Sequence, residues 1–162
     1  DMSGLISINP NLPTAERYLL LEEQVKALVY GEEDLIANLS NIMSALKYGM
    51  NYFWVGIYKV VDDQLVLGPF QGPVACTRIL KGRGVCGACW ERNQIIIVGN
   101  VDEFPGHIAC SSDTKSEIVL PVRNKEGEVA FVLDVDSTSL NDFSAEDQKG
   151  LEKIATIIES II

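Results

Sequence analysis

Tyr52-Phe53-Trp54-Val55-Gly56-Ile57-Tyr58-Lys59-Val60-Val61, followed by Asp62-Asp63 and the run from Gln64 to Phe70, decides how this chain is read. The first ten residues are largely aromatic and β-branched, a composition that suits a pleated, half-buried strand. The two aspartates supply a turn, and the run to Phe70 reads as the returning arm of a hairpin. Gly72-Pro73 breaks the chain again, and Val74 to Leu80 reads as a third short strand. Loops this short cannot carry crossovers, so the meander is antiparallel.

Outward from the hairpin the period changes. Thr14 to about Tyr30 reads as a helix with Leu19, Leu20, Leu21, Val25, Leu28 and Val29 on one broad face, ended by Gly31. A second helix carries Leu35, Ile36, Leu39, Ile42, Met43 and Leu46 at three-and-four spacing and stops near Gly49. Residues 1–13 are polar and proline-punctuated, a flexible arm ahead of a single domain over residues 14–162. After the meander come a loop at Lys81 to Gly84, a short helix over Val85 to Arg92 and a brief strand over Ile95 to Val98. Two more strands follow, Glu117 to Val122 and Val129 to Asp136, joined by a turn around Lys125-Glu126-Gly127. Ser144-Ala145-Glu146-Asp147 opens the last helix in the manner of a capping box, and Leu151, Ile154, Ile157, Ile158 and Ile161 mark its buried stripe. The order is that of an α+β fold, an antiparallel sheet covered by N- and C-terminal helices. It resembles a GAF domain, a small ligand-binding fold.

A length of 162 residues suits one domain with a core of useful size. The net charge of −10 repels nucleic acid and anionic lipid, so neither a nucleic acid nor a membrane is expected as partner. No apolar run approaches the ~20 residues of a membrane span. No secretory signal is visible, so the four cysteines read as reduced thiols in a cytoplasmic protein.

The chemistry concentrates between Phe104 and Pro121, which holds the single histidine, His107, and Cys110. Cys110 sits beside Ser111, Ser112, Asp113 and Thr114, and Glu117 opens the strand that follows. A thiol in a wet loop with a carboxylate at the next strand entrance suggests a nucleophile with an acid nearby. The plainer alternative is a cysteine that fills a small apolar gap. Cys86-Gly-Ala-Cys89 and His107-Ile-Ala-Cys110 also have the spacing of a structural Cys₃His zinc site, although Cys89 runs on into Trp90-Glu91-Arg92 as continuing helix. A Cys86–Cys89 dithiol at a helix N-terminus, its thiol acidified by the dipole, is a third reading. Its position after two helices and three strands does not match a thioredoxin fold. Asp134 and Asp136 lie two apart on a strand and share a face; Trp54 and Tyr58 share one likewise. Ordinary exposed strand and ordinary core are the plain alternatives for these two pairs.

Six blocks occur in one order along the chain. They are Gly68-Pro69-Phe70-Gln71-Gly72, Ala75-Cys76, Gly82-Arg83-Gly84-Val85-Cys86-Gly87, Gly106-His107-Ile108-Ala109-Cys110, Ser116-Glu117-Ile118-Val119-Leu120-Pro121 and Leu133-Asp134-Val135-Asp136-Ser137. Together they resemble the free methionine-(R)-sulfoxide reductases, a GAF-domain enzyme family, over the chain from about Trp54 onward. The resemblance implies a thiol-dependent oxidoreductase that reduces free L-methionine-(R)-S-oxide without cofactor or metal. It makes Cys110 the nucleophile and Cys76 and Cys86 the other redox cysteines. Glu117, Asp134 and Asp136 line the substrate pocket, with Trp54 at the substrate methyl and Tyr58 beside it. Crowded carboxylates cannot all ionise, so Glu117 and Asp136 are expected to share a proton for the departing oxygen while the ionised groups hold the substrate ammonium. Cys110 would become a sulfenic acid and close a disulfide with Cys86 or Cys76, reset by thioredoxin. Cys89 has no counterpart in the family pattern, and Ser111 and Asp113 depart from its loop. A homodimer is compatible with this reading. The rival from a different class is a GAF sensor that binds a small ligand without turnover.

Overall fold

The hairpin forms from strands β1 (Trp54–Val61) and β2 (Gln64–Gln71) in a computed structural model that describes residues 7–108 and 110–162. Asp62 takes a left-handed φ of 54°, which a two-residue hairpin turn demands. Ahead of the hairpin lie helices α1 (Thr14–Val29) and α2 (Leu35–Met50). Beyond it come β3 (Arg78–Leu80), α3 (Gly84–Arg92), β4 (Ile96–Val98), a 3₁₀ turn at Val101–Glu103, β5 (Ser116–Arg123), β6 (Val129–Ser137) and α4 (Ala145–Ile161). The six strands form one sheet in the order β3-β2-β1-β6-β5-β4, every neighbouring pair antiparallel. This is the expected α+β arrangement. The capping box forms as well, Ser144 and Asp147 each accepting from the other's backbone amide.

The sheet divides two cores. On one face Val55, Ile57, Ile118, Leu120, Val122, Phe131, Leu133 and Val135 meet the buried stripes of α2 and α4. Helix α1 lies across α2 and α4. On the other face Trp54, Tyr58, Val119 and Val132 meet α3 and the loops around it. Of the arm expected over residues 1–13, residues 1–6 lie outside the described residues, and Ile8 is packed in the helix-side core.

Three expectations are corrected. Leu19 and Leu20 are 52% and 39% exposed, because α1 turns Tyr18, Leu21 and Val25 inward instead. Ile36 is 63% exposed, because α2 turns Leu39, Ile42, Met43 and Leu46 inward and Ile36 lies off that stripe. The third strand is only Arg78–Leu80, because Val74 to Cys76 leaves the edge ladder, whose last bond is from the Leu67 amide to the Thr77 carbonyl at 3.0 Å, and the Tyr58 hydroxyl donates to the Cys76 carbonyl at 2.9 Å.

One polar link crosses the helix-side core. The Tyr18 hydroxyl donates to Asp147 Oδ1 at 2.7 Å and is hydrogen-bonded to the Tyr52 hydroxyl, tying α1 to the entrance of β1 and the start of α4. Burial raises both phenols, so they stay neutral. Tyr18→Phe leaves two buried oxygens short of a partner. We expect a loss of about 1–3 kcal/mol in urea unfolding, with the unfolding slope unchanged.

Candidate active site

The alternation of three neighbouring strands builds the site. On β6, Val132, Asp134 and Asp136 face away from the helices that bury Phe131, Leu133 and Val135. Register then sets the neighbours. Asp136 stands opposite Glu117 of β5 on one side and Trp54 of β1 on the other, while Asp134 stands opposite Val119 and Gly56. Glu117, Asp134 and Asp136 therefore occupy adjacent positions on one face, bordering one cleft with Trp54, Tyr58, Cys86 and Cys110. The chain closes this cleft from above with the first turn of α3 and the loop that carries Cys110.

Glu117 and Asp134 are 6% and 5% exposed. Burial pushes all three carboxyls well above the ordinary carboxylate range, and their mutual repulsion pushes the same way. Asp134 Oδ1 and Asp136 Oδ1 are buried with no hydrogen-bond partner among the described residues. Such acceptors cost free energy when the site is empty and are suited to a cationic donor.

Cys86 lies in the first turn of α3 with its Sγ 4.0 Å from Glu117 Oε2, at the distance of a weak thiol donor. Burial raises its thiol, as do Asp134 and Glu117 beside it. The acidifying effect expected of a helix N-terminus is overridden here, because the nearest groups are desolvated acids. Cys89, one turn on, has no exposed surface, and burial pushes its thiol up to about 12. Cys86 and Cys89 are both buried free thiols, with no disulfide between them.

Cys76 and Cys110 are joined by a disulfide, their Cα atoms 5.4 Å apart across 34 residues of sequence. Both are half-buried, and Cys110 borders the cleft. The expected Cys₃His zinc set does not assemble, since Cys110 is spent in that bond and Cys89 is sealed in the core. Among the described residues a different group gathers instead: ligand atoms of Cys86, Glu117 and Asp134 all lie within 4.8 Å of one another. His107 borders the cleft, and burial lowers its pKa against the opposing pull of Asp102.

Trp54 is held on every side. Its ring stacks on Phe70 with centroids 5.5 Å apart and on Tyr58 at 6.3 Å, and its Nε1 donates to the Pro73 carbonyl at 3.0 Å. A Cβ at Gly72 would lie 2.6 Å from the indole, and one at Gly56 would lie 2.7 Å from Phe70 Cβ and run into the indole. Glycine at these two positions is what lets the aromatic stack form. Phe70, Gly56, Arg83 and Thr114 were not singled out from the sequence as site residues. Of these only Gly56 carried a signal, a glycine inside an aromatic strand, which marks a close approach. Arg83, at the N-cap of α3, borders the cleft with the uncapped turn Gly84-Val85-Cys86.

Residues 32–162 match the family model described as GAF domain. The chain is 53% identical over 146 residues to GAF domain-containing protein A of Dictyostelium discoideum, covering 90% of this chain and 92% of the relative. It is 44% identical over 149 residues to free methionine-R-sulfoxide reductase of Escherichia coli, covering 91% and 89%. The X-ray structure of free methionine-R-sulfoxide reductase from Neisseria meningitidis, in complex with its substrate, superposes with a TM-score of 0.93 at 42% identity, covering 98% and 95% of the two chains.

The raised carboxyls make a prediction about stability. In the unfolded chain they ionise near 3.8 to 4.5, whereas the folded chain retains their protons to higher pH. The folded state thus binds more protons than the unfolded one, so their contribution falls as pH rises from about 4. Asp134→Asn should therefore match the parent in melting temperature near pH 4 and exceed it increasingly toward pH 8. The expected gap is roughly 2–4 °C for each kcal/mol of relieved repulsion. Scanning calorimetry across that range checks it, and a gap that shrinks with pH contradicts it.

Proposed function

The chain belongs to the GAF-domain family of free methionine-R-sulfoxide reductases, and from that premise we propose that its cleft reduces free L-methionine-(R)-S-oxide to methionine. The observation that carries the reading is the Cys76–Cys110 disulfide, with Cys110 at the border of a cleft floored by the carboxyls of Glu117, Asp134 and Asp136. That is the composition expected of an enzyme caught after its oxidising half-reaction.

In the reduced enzyme the Cys110 thiolate attacks the sulfoxide sulfur. Glu117 and Asp136, paired across β5 and β6, share the proton that the sulfoxide oxygen takes. The oxygen passes to Cys110 as a sulfenic acid, and methionine departs with its sulfur reduced. The Cys76 thiol then displaces that oxygen as water and forms the disulfide. One sulfoxide and two thiols thus become one thioether, one disulfide and one water. Cys86, which the resemblance groups with the redox cysteines, keeps its thiol proton and steadies Glu117 instead.

Recognition of a free amino acid follows from both ends of the cleft. The orphaned oxygens of Asp134 and Asp136 receive the substrate ammonium. The uncapped first turn of α3 and Arg83 receive its carboxylate, as helix N-termini do for anions. Trp54 packs against the methyl group, and Tyr58 fixes the Cys76 segment through its carbonyl. A dithiol protein such as thioredoxin resets the disulfide by exchange, in keeping with a cytoplasmic cycle. The exposed Leu19 and Leu20 of α1 offer a face for homodimerisation.

Turnover coupled to thioredoxin, thioredoxin reductase and NADPH tests the whole reading, and binding without turnover would make the protein a sensor. We expect activity on the R epimer of the free sulfoxide and little on the S epimer or on N-acetylated substrate. Cys110→Ser should abolish turnover with the fold intact, while Cys89→Ser should keep most of it. In single turnovers of prereduced enzyme, Glu117→Gln should slow methionine formation on the order of 10²–10⁴-fold. An unchanged first-turnover rate in both Glu117→Gln and Asp136→Asn means that the proton has another source.

A further inference from the structure

We propose that the floor of the cleft is also a binding site for a soft divalent cation, zinc above all, held by Cys86 Sγ with Glu117 and Asp134, and that zinc there excludes the amino-acid substrate. The three ligand atoms already lie within 4.8 Å of one another, and all three residues are buried. Zinc–sulfur and zinc–oxygen bonds of about 2.3 and 2.1 Å, set across the 4.0 Å between Cys86 Sγ and Glu117 Oε2, meet at roughly 130°. A small rotation of the Cys86 side chain brings that angle to the tetrahedral value.

A second observation points to a ligand independently of the cluster's composition. Asp134 is only 5% exposed, borders the cleft, and has an Oδ1 without a partner. Asp136 Oδ1 is likewise without a partner among the described residues and borders the same cleft. Among the described residues neither Glu117 nor Asp134 takes part in an ion pair. The cleft opens to solvent, so an ion has a way in.

Donor chemistry chooses the metal. One thiolate among carboxylates favours zinc over magnesium and calcium, which require oxygen ligands throughout. Coordination displaces the Cys86 proton and any proton held among the carboxyls to the buffer, and no electrons move. The set shares only Cys86 with the Cys₃His spacing read from the sequence, and it occupies the position assigned above to the substrate ammonium. The two cations should therefore compete.

The oxidised enzyme is the material for the test, because there Cys76 and Cys110 are tied to each other and cannot chelate. Zinc is titrated into it against a chromophoric chelator. We expect one zinc per chain with a dissociation constant on the order of 10 µM or tighter, undisturbed by millimolar magnesium. Cys86→Ser and Asp134→Asn should each weaken it at least tenfold, and Cys89→Ser should leave it unchanged. Cobalt in place of zinc should show a thiolate-to-cobalt charge-transfer band that Cys86→Ser removes. Circular dichroism confirms that each variant is folded, and Asp134→Asn, being isosteric, serves if Cys86→Ser is not. No saturable binding below about 100 µM, binding that survives both substitutions, or a missing charge-transfer band overturns the inference. The competition arm alone rests on the reductase reading: added free methionine-(R)-sulfoxide should raise the apparent zinc dissociation constant in proportion to its concentration. Zinc binding lost in an active reductase refutes this inference alone, and zinc binding intact in a protein without turnover refutes the reductase reading alone.

Discussion

A strand has two faces, and β6 commits both of them. Every odd residue from Phe131 to Val135 is needed by the helix-side core, which leaves Asp134 and Asp136 no direction except the opposite one. A slip of one residue would drive two carboxyls into the apolar layer and three apolar side chains into the cleft. The register of β6 against β1 and β5 is thus specified from the helix side, while its chemical outcome emerges on the other side. Glu117 against Asp136, and Asp136 against Trp54, are consequences of that single alignment.

Setting acidic groups directly opposite each other on buried strands is unfavourable for folding. The offset comes from the far side of the same strands. Ile57, Ile118, Leu120 and Leu133 are at most 1% exposed, and burying such a side chain contributes about 1.5–3 kcal/mol. Helices α2 and α4 therefore act on the cleft without touching it. They hold the strands so firmly that the acids cannot turn away from one another, and repulsion is relieved by protons or by a bound cation.

Most of the fold was legible because its signals are local. The aromatic and β-branched run of β1, the turn at Asp62-Asp63 and the Ser144–Asp147 cap each act within a few residues, and each formed. The misreadings in the helices share a cause, which is that apolar spacing marks a broad face without saying which part of it meets the sheet. Leu19, Leu20 and Ile36 fit the helical period but lie just outside the contact stripe. The Val74 to Cys76 segment fails as a strand for a tertiary reason, its tether to Tyr58, which no local pattern encodes. In the site, the pairing of Asp134 with Asp136 followed from the period of two. The choice of Cys76 over Cys86 as partner of Cys110 did not, because it depends on which thiol reaches the rim and which is buried among acids. Phe70 behind Trp54 was equally silent, since an aromatic residue in a strand has no reason to stand out.

The cross-link between Cys76 and Cys110 also changes what the unfolded chain can do. Closing a loop over a separation of 34 residues removes disorder worth roughly 3–4 kcal/mol by the chain-entropy estimate. In a molecule whose net stability is on the order of 5–15 kcal/mol, that is a substantial share. The protein is therefore sturdiest when spent and most vulnerable when ready to work. A fall in the supply of reductant would store it in the form that best resists unfolding and digestion, so the pool lost to oxidative stress is idle rather than destroyed.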